Sequence, residues 1–192
     1  MKAIDENELR AYLSSCGAFL EGHFLLSSGL HSPNYVQCAL ALKDPAWAGR
    51  MGAALAGGWK GPKPDLVLSP AMGGLIIGHE VARAFGTDFI FTERENNVMT
   101  LRRGFELKPG RKVVIVEDVF TTGKSTLETK AVAEARGASV IGAMSVINRM
   151  GERALPIPSL SLLKLALTAL PAGDCPLCKA GIPVVKPGSR KF

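Results

Sequence analysis

Two acidic residues stand directly before a run of hydroxyl-bearing residues in the segment 113–126, which reads VVIVEDVFTTGKST. Glu117 and Asp118 follow four apolar β-branched residues typical of a buried strand, and Gly123 lies within the hydroxyl run. Backbone N–H groups at the start of a helix bind anions, and the helix dipole adds about half a positive charge there. Glycine lets the backbone approach such an anion closely. The segment therefore predicts a phosphate site beside a carboxylate pair.

The chemistry of this segment is more than that of a phosphate loop. Its hydroxyl groups could donate hydrogen bonds to phosphate oxygens: Thr121, Thr122, Ser125 and Thr126. The ending GKST looks like a Walker A loop, but Asp118 occupies the position of that motif's first glycine, so the pattern fails. Carboxylates beside such a turn are useful when the ligand also has sugar hydroxyls or brings Mg²⁺. A strand, turn and helix without a ligand is the alternative interpretation.

A basic residue follows a second predicted strand. Arg149 comes directly after the apolar segment 139–147. In parallel sheets ligands bind beyond the carboxyl ends of the strands. The turn at 69–74 also follows a predicted strand, so it is a third candidate for ligand binding, after the central segment and Arg149. An isolated arginine could simply pair with a surface carboxylate, but the position of Arg149 favours a role in ligand binding.

Helices and strands alternate along the chain. Strands are predicted over 65–68, 87–92, 112–116 and 139–147. Helices are predicted over 5–14, over 44–58, from the turn at 69–74 to about 85, and over about 127–136. The polar segment 93–107 is predicted to be a long irregular loop. Continuous apolar strands between helices indicate an α/β fold, in which helices cover both faces of a mostly parallel sheet.

Composition and charge limit the class of protein. The chain has 192 residues, of which 47% are hydrophobic and 21% charged, so it can form a packed core as one domain. Its 23 basic and 17 acidic residues give a net charge of +6, which suits an anionic ligand. Four cysteines are too few for a disulfide scaffold. Without a signal-peptide pattern or a long apolar stretch, we expect a soluble cytoplasmic protein.

The central segment resembles a known family motif. EDVFTTGKST is similar to the phosphoribosyl diphosphate motif of type I phosphoribosyltransferases. Three further segments resemble the orotate branch of that family: FLLSSGLHSPNY at 24–35, the loop at 93–105, and the Asn148-Arg149 pair. The better-known branch has lysine and histidine in this loop, whereas the present chain offers Arg94, Arg102 and Arg103.

The resemblance implies an active site and a reaction. It implies the type I fold as a single domain over 1–192, with a core of about 41–150 and a small hood from about 1–40 and the tail. The implied reaction is phosphoribosyl transfer from phosphoribosyl diphosphate to orotate, a pentosyl transfer of pyrimidine synthesis, with Mg²⁺ as cofactor. The implied catalytic residues are Glu117, Asp118 and Arg94. The implied phosphoribosyl diphosphate site is Glu117, Asp118, Val119, Phe120, Thr121, Thr122, Gly123, Lys124, Ser125 and Arg94.

The resemblance also implies the partners of this site. Thr121 and Arg149 would contact orotate, and Arg94 would reach the diphosphate from the loop at 93–104. The chain would be a homodimer whose subunits share active sites, with neither a nucleic acid nor a membrane as partner. Two alternatives remain open: a phosphoribosyltransferase for a purine or uracil, and a non-catalytic regulator that binds phosphoribosyl diphosphate. Arg149 argues against a neutral base, and the loop arginines argue against a regulator.

Histidine and cysteine spacing gives no complete metal motif. Cys175 and Cys178 could form half of a zinc site or a redox pair, but a structural zinc ion normally has four ligands. His23, His31 and His79 show no metal-ligand spacing and are predicted to be structural. The sequence therefore assigns no metal-binding residues.

Overall fold

The computed structural model describes residues 4–26, 28–165 and 167–187. Eight strands lie in these ranges: β1 (Phe19–Leu25), β2 (His31–Val36), β3 (Leu66–Pro70), β4 (Asp88–Glu95), β5 (Val98–Leu101), β6 (Lys112–Phe120), β7 (Ser139–Asn148) and β8 (Ser159–Lys164). Six of them form one sheet in the order β5-β4-β3-β6-β7-β8. Neighbouring strands are parallel except β4 and β5, which form an antiparallel hairpin at one edge.

Helices connect the parallel strands and precede them. The described helices are α1 (Glu6–Ser15), α2 (Cys38–Leu42), α3 (Pro45–Gly58), α4 (Gly74–Phe85), α5 (Lys124–Glu134) and the short α6 (Pro176–Lys179). Asp44 starts α3 by accepting hydrogen bonds from the N–H groups of Ala46 and Trp47, and Pro45 fits the first helical position. None of the described helices has the length and apolar character needed to cross a membrane.

The core covers both faces of the sheet. Val114 and Val116 pack in a cluster that includes residues of α3 and α4, whereas Val113 packs in another cluster with Ala133 of α5. Successive residues of a strand point to opposite faces, so these contacts place helices on both sides. The expected α/β fold with a mostly parallel sheet is confirmed.

A separate two-stranded antiparallel sheet, β1 and β2, forms a hood beside the main sheet. The chain's tail pairs with both of its strands: Phe24 forms a bridge with Val185, and His31 forms one with Leu170. Backbone hydrogen bonds of 2.7 to 2.9 Å support these bridges. The hood is therefore made from two segments that are far apart in the sequence.

Three sequence-based expectations need correction. The segment 93–107 is not an irregular loop throughout, because β4 continues to Glu95 and a turn at Asn96-Asn97 leads directly into β5. Both asparagines have positive φ, 49° and 63°, as tight hairpin turns require. The helix after the central motif begins at Lys124 rather than near 127, and β8 lies in a tail for which no strand is predicted.

Candidate active site

The acid pair lies in the last part of β6, whose pairing with β7 continues to Phe120. Thr126, in the first turn of α5, donates a hydrogen bond of 2.7 Å to the Glu117 carboxylate. The Asp118 carboxylate accepts one of 2.8 Å from the Val119 N–H. Both carboxylates are therefore fixed by neighbouring groups at the carboxyl end of the sheet, where a ligand would be expected.

Burial makes both acids reluctant to ionise. It raises the pKa of Glu117 to about 7, although the hydrogen bond from Thr126 and the charge of Arg94 oppose the change. Burial also raises the pKa of Asp118, against the hydrogen bond from Val119. A ligand that brings hydroxyl donors or positive charge would therefore stabilise the ionised form of both carboxyl groups.

Glu117→Gln should make the protein more stable at about pH 8. Since the folded-state pKa of Glu117 is raised, the folded protein holds a proton that the unfolded chain releases, and stability falls as pH rises from about 4.5 to about 7. A shift of this size corresponds to about 3 kcal/mol in the free energy of unfolding. Urea unfolding at several pH values measures it, with the exposed Glu152→Gln as control. An equal pH dependence in the wild type and in Glu117→Gln would contradict the prediction.

The turn between β6 and α5 has the geometry of an anion site. Gly123 has φ +77°, a conformation that residues with a side chain rarely adopt. A Cβ at Gly123 would also lie 2.6 Å from Leu155 Cδ2. Gly123 at the N-cap of α5 has no side chain to cap the helix, and Thr121, Thr122 and Lys124 are exposed around it. The Lys124 N–H donates to Thr122 Oγ1 at a long 3.3 Å, so a phosphate would compete with this hydroxyl for one N–H group of the first turn.

Thr126 does not belong to the group of phosphate donors predicted from the sequence. It is fully buried, and its hydroxyl is used by Glu117. A helical residue three positions after the N-cap points back towards the strand, which explains why this hydroxyl meets the carboxylate rather than the open turn.

A second turn packs against the end of β6 beside Asp118. It follows β3, contains the cis peptide Ala71–Met72, and leads into α4. A Cβ built on Gly73 would lie 2.6 Å from Asp118 Oδ1, and one on Gly74 would lie 2.7 Å from the carbonyl oxygen of Val116. The absence of side chains at these two positions therefore lets the turn pack directly against the end of β6.

Arg149 follows β7 at the same edge of the sheet. Its N–H donates to the carbonyl of Phe120, which places the residue beside the end of β6. Its side-chain Nε is buried and has no hydrogen-bond partner among the described residues. Burial lowers the pKa of Arg149. Burial raises the pKa of Tyr35 in the hood, and the charge of Arg149 opposes this rise, so the two groups interact electrostatically.

Arg94 lies beside the acid pair of its own chain. Its charge acts on Glu117, and its guanidinium pairs with Glu128 of α5 through Nη2. Its Nη1 donates to the Asn97 carbonyl oxygen at 3.0 Å. The side chain is thus held near the turn of the β4–β5 hairpin and against α5.

The other two arginines of the segment are also paired with glutamates. Arg103 lies 3.0 Å from the Glu93 carboxylate and over the ring of Phe91, and Arg102 lies 3.2 Å from the carboxylate of Glu95. Any anionic ligand that binds these arginines must therefore compete with carboxylates of the same chain.

A separate cleft of about 690 Å³ opens at the amino ends of the strands and includes Asp65, Asp88 and Lys112. These residues lie before or at the amino ends of their strands. It is distant along every strand from the polar groups described above, so we do not assign it to the active site.

The predicted isolation of the histidines and cysteines needs correction. Sequence spacing offers no second ligand pair for Cys175 and Cys178, yet the fold brings His23 and His31 to them, with all four ligand atoms within 4.8 Å of one another. The histidines lie on paired strands of the hood, and spacing along the chain does not reveal this.

Two contributing residues were not predicted from the sequence, and a third was predicted with a different role. Glu128 pairs with Arg94, Tyr35 interacts electrostatically with Arg149, and Thr126 donates to Glu117 instead of to a phosphate. A signal for Glu128 and Thr126 was present, because residues in the first turns of a helix that follows a strand lie near the strand's end. No local pattern relates Tyr35 to Arg149, since the hood is packed there by tertiary contacts.

The chain is similar to known proteins over most of its length. The family profile described as "Phosphoribosyl transferase domain" matches residues 53–160. A protein from Thermotoga maritima named orotate phosphoribosyltransferase is 48% identical over 183 residues, which cover 95% of this chain and 98% of that protein. One of the same name from Pelotomaculum thermopropionicum is 46% identical over 187 residues, 97% of this chain and 98% of that protein.

A solved structure shows the same similarity. The orotate phosphoribosyltransferase from Aeropyrum pernix superimposes with a TM-score of 0.70 at 26% sequence identity. The match covers 82% of this chain and 93% of that one. The similarity thus extends well beyond the central motif.

Proposed function

The chain belongs to the orotate phosphoribosyltransferase family, and from this premise we propose that the end of β6, the turn after it and Arg149 form its active site. The enzyme transfers a 5-phosphoribosyl group from phosphoribosyl diphosphate to orotate, giving orotidine 5′-phosphate and diphosphate in pyrimidine synthesis. The observation that best supports the proposed site is Arg149, at the carboxyl ends of the strands where the acids and the anion turn meet, because its buried Nε has no hydrogen-bond partner in the described part of the chain.

Arg149 supports orotate as the acceptor. Orotate is a pyrimidine with a carboxylate, and a guanidinium binds a carboxylate through two parallel hydrogen bonds. A purine or uracil offers no carboxylate to the unpaired Nε of Arg149. We propose that Thr121, exposed at the start of the turn, is the second orotate contact.

The phosphoribosyl diphosphate would lie along the acid pair and the anion turn. Glu117 and Asp118 would accept hydrogen bonds from the ribose hydroxyls, and the first turn of α5 would hold the 5′-phosphate. Arg94, next to Glu117, would contact the diphosphate. The proposed set of contacts is Glu117, Asp118, Val119, Phe120, Thr121, Thr122, Gly123, Lys124, Ser125 and Arg94.

The proposed mechanism requires no covalent nucleophile. As the bond from C1 of the ribose to the diphosphate breaks, positive charge develops on the sugar, and the carboxylates of Glu117 and Asp118 stabilise it. The departing anion is stabilised by Arg94. N1 of orotate attacks C1 and loses its proton, which the diphosphate takes up as it leaves. The hood and the turn at Gly73 restrict water around the reacting sugar, which would otherwise hydrolyse.

Mg²⁺ fits the donors at this site as a cofactor. Glu117 and Asp118 provide hard carboxylate oxygens, and proteins commonly hold Mg²⁺ with one or two carboxylates together with substrate phosphates. When bound, Mg²⁺ supplies positive charge to the leaving diphosphate.

Orotate should be consumed faster than other bases. The purified protein with phosphoribosyl diphosphate and Mg²⁺ should remove the ultraviolet absorbance of orotate, because Arg149 matches the orotate carboxylate. Hypoxanthine, guanine and uracil serve as comparison substrates, and removal of Mg²⁺ with a chelator should abolish the reaction. Faster consumption of any of the three comparison bases would contradict the assignment of the acceptor.

We also propose that the protein works as a cytoplasmic homodimer with shared active sites. The charge of Arg94 acts on Glu117 of its own chain, so Arg102 and Arg103, which follow β5 at the open end of the hairpin, are the candidates to reach a neighbouring site. The free thiols of the four cysteines support a reducing compartment. Mixing Arg102→Ala/Arg103→Ala subunits with Asp118→Asn subunits tests the sharing, because activity returns only if the arginines act on the partner's site.

A further inference from the structure

Four metal-ligand side chains from distant parts of the chain meet at the junction of the hood and the tail. They are His23 of β1, His31 of β2, Cys175 and Cys178, and their ligand atoms lie within 4.8 Å of one another. The first three are buried and Cys178 is half-buried. The proposed reaction uses none of them.

The separations between these atoms resemble those of a tetrahedral zinc site. With Zn–N of about 2.0–2.1 Å and Zn–S of about 2.3 Å, a nitrogen and a sulfur ligand lie about 3.5 Å apart. Here His23 Nε2 lies 3.5 Å from Cys175 Sγ and 3.6 Å from Cys178 Sγ, and His31 Nδ1 lies 3.2 Å from Cys178 Sγ. The two ring nitrogens are 2.7 Å apart and would separate by roughly half an ångström on binding.

A backbone contact orients His23 for metal binding. Its Nδ1 lies 2.7 Å from the carbonyl oxygen of Ile182. Because a carbonyl oxygen only accepts hydrogen bonds, Nδ1 bears the proton and Nε2 presents its lone pair to the other three side chains. Metal-ligating histidines are commonly fixed in this way, by donating their second N–H to a backbone carbonyl. Without a cation, the lone pair of His23 Nε2 could accept one hydrogen bond at most, although His31 Nδ1 and the two cysteine Sγ atoms all lie near it.

We propose that His23, His31, Cys175 and Cys178 bind one structural zinc ion. Two nitrogen and two sulfur ligands complete a tetrahedral shell and leave no position for a substrate, which is typical of structural sites. The two cysteines lie at the start of α6 and the two histidines on paired strands of the hood, so the ion fastens the tail to the hood. The site is separate from the acid pair and does not depend on the assigned reaction.

Metal analysis of the full chain tests this site directly. The protein is purified under reducing conditions, without chelator and without a histidine tag. It should contain about one zinc ion per chain when measured by inductively coupled plasma mass spectrometry. Replacement by Co²⁺ should give the visible absorption bands of a tetrahedral ion and a thiolate charge-transfer band in the near ultraviolet. A protein that stays free of zinc after incubation with it, and gives no such Co²⁺ spectrum, would overturn the proposal.

Substitution of a ligand gives the second test. Cys178→Ser should lose the zinc and lower the melting temperature, whereas Cys16→Ser, a half-buried cysteine outside the cluster, should retain it. Zinc retained at full occupancy in Cys178→Ser, or a disulfide between Cys175 and Cys178 in freshly purified protein, would overturn the proposal. Should Cys178→Ser fail to fold, the Co²⁺ spectrum of the wild type decides the outcome.

Discussion

Asp118→Asn should lower kcat by roughly 100- to 1,000-fold while the KM for phosphoribosyl diphosphate changes much less. The carboxylate charge matters most when positive charge develops on the ribose, so its removal raises the barrier more than it weakens binding of the ground state. The anion turn at Gly123 is untouched by the substitution and continues to hold the 5′-phosphate. Steady-state kinetics with both substrates measure the two effects separately.

The structure makes this substitution a conservative one. Asparagine keeps an oxygen that can accept the hydrogen bond of 2.8 Å from the Val119 N–H, and it has nearly the same size beside Gly73. Asp88→Asn, at the exposed amino end of β4, is the matched control and should retain full activity. A folded Asp118→Asn enzyme with unchanged kcat would remove Asp118 from the mechanism.

Arg149→Ala should raise the KM for orotate by roughly 10- to 150-fold, because a hydrogen bond to a charged group contributes about 1.5–3 kcal/mol. The KM for phosphoribosyl diphosphate should change little. The variant should be no less stable than the wild type, since the substitution removes a buried Nε that bonds to none of the described residues. Initial-rate kinetics and thermal unfolding provide the two measurements.

Two related variants separate charge from geometry at this position. Arg149→Lys keeps the positive charge but loses the planar fork, so it should recover only part of the orotate affinity. Arg153→Ala, four residues further along and exposed, should behave like the wild type. Equal losses of affinity for both substrates in Arg149→Ala would assign the arginine to the scaffold and not to orotate.

The sequence predicts the centre of the site because its signals are local. The strand, acids, glycine and hydroxyls of 113–126 follow one another along the chain, and strand and helix geometry then places them together. Arg149 is predictable for a similar reason, since it directly follows a strand whose carboxyl end must lie at the ligand edge. The position of Thr126 shows the limit of this reasoning, because its direction depends on the exact start of α5.

The hairpin at the sheet edge is harder to predict. Its strands contain Thr92, Glu93, Arg94 and other polar residues, so they lack the alternation of apolar and polar residues that usually marks a strand. Charged residues are common on edge strands, where they discourage pairing with other chains. The paired asparagines at the turn were the available signal.

No local sequence pattern predicts the cluster of two histidines and two cysteines. His23 and Cys178 are 155 positions apart, and the tail meets the hood only through tertiary pairing. Spacing rules recognise metal sites whose ligands lie within one short motif, whereas this site has two ligands on each of two distant segments.

The participation of two distant segments in the hood has a consequence for biosynthesis. The strands β1 and β2 are translated before the main sheet, but their partners Leu170 and Val185 are translated after it. At roughly 5–20 residues per second, the interval between His31 and Val185 lasts about 8–30 s. During that time the parallel strands from β3 to β7 can emerge in order, while the hood strands wait with unpaired edges. The hood strands are therefore translated before the parallel sheet but receive their tail partners only after it.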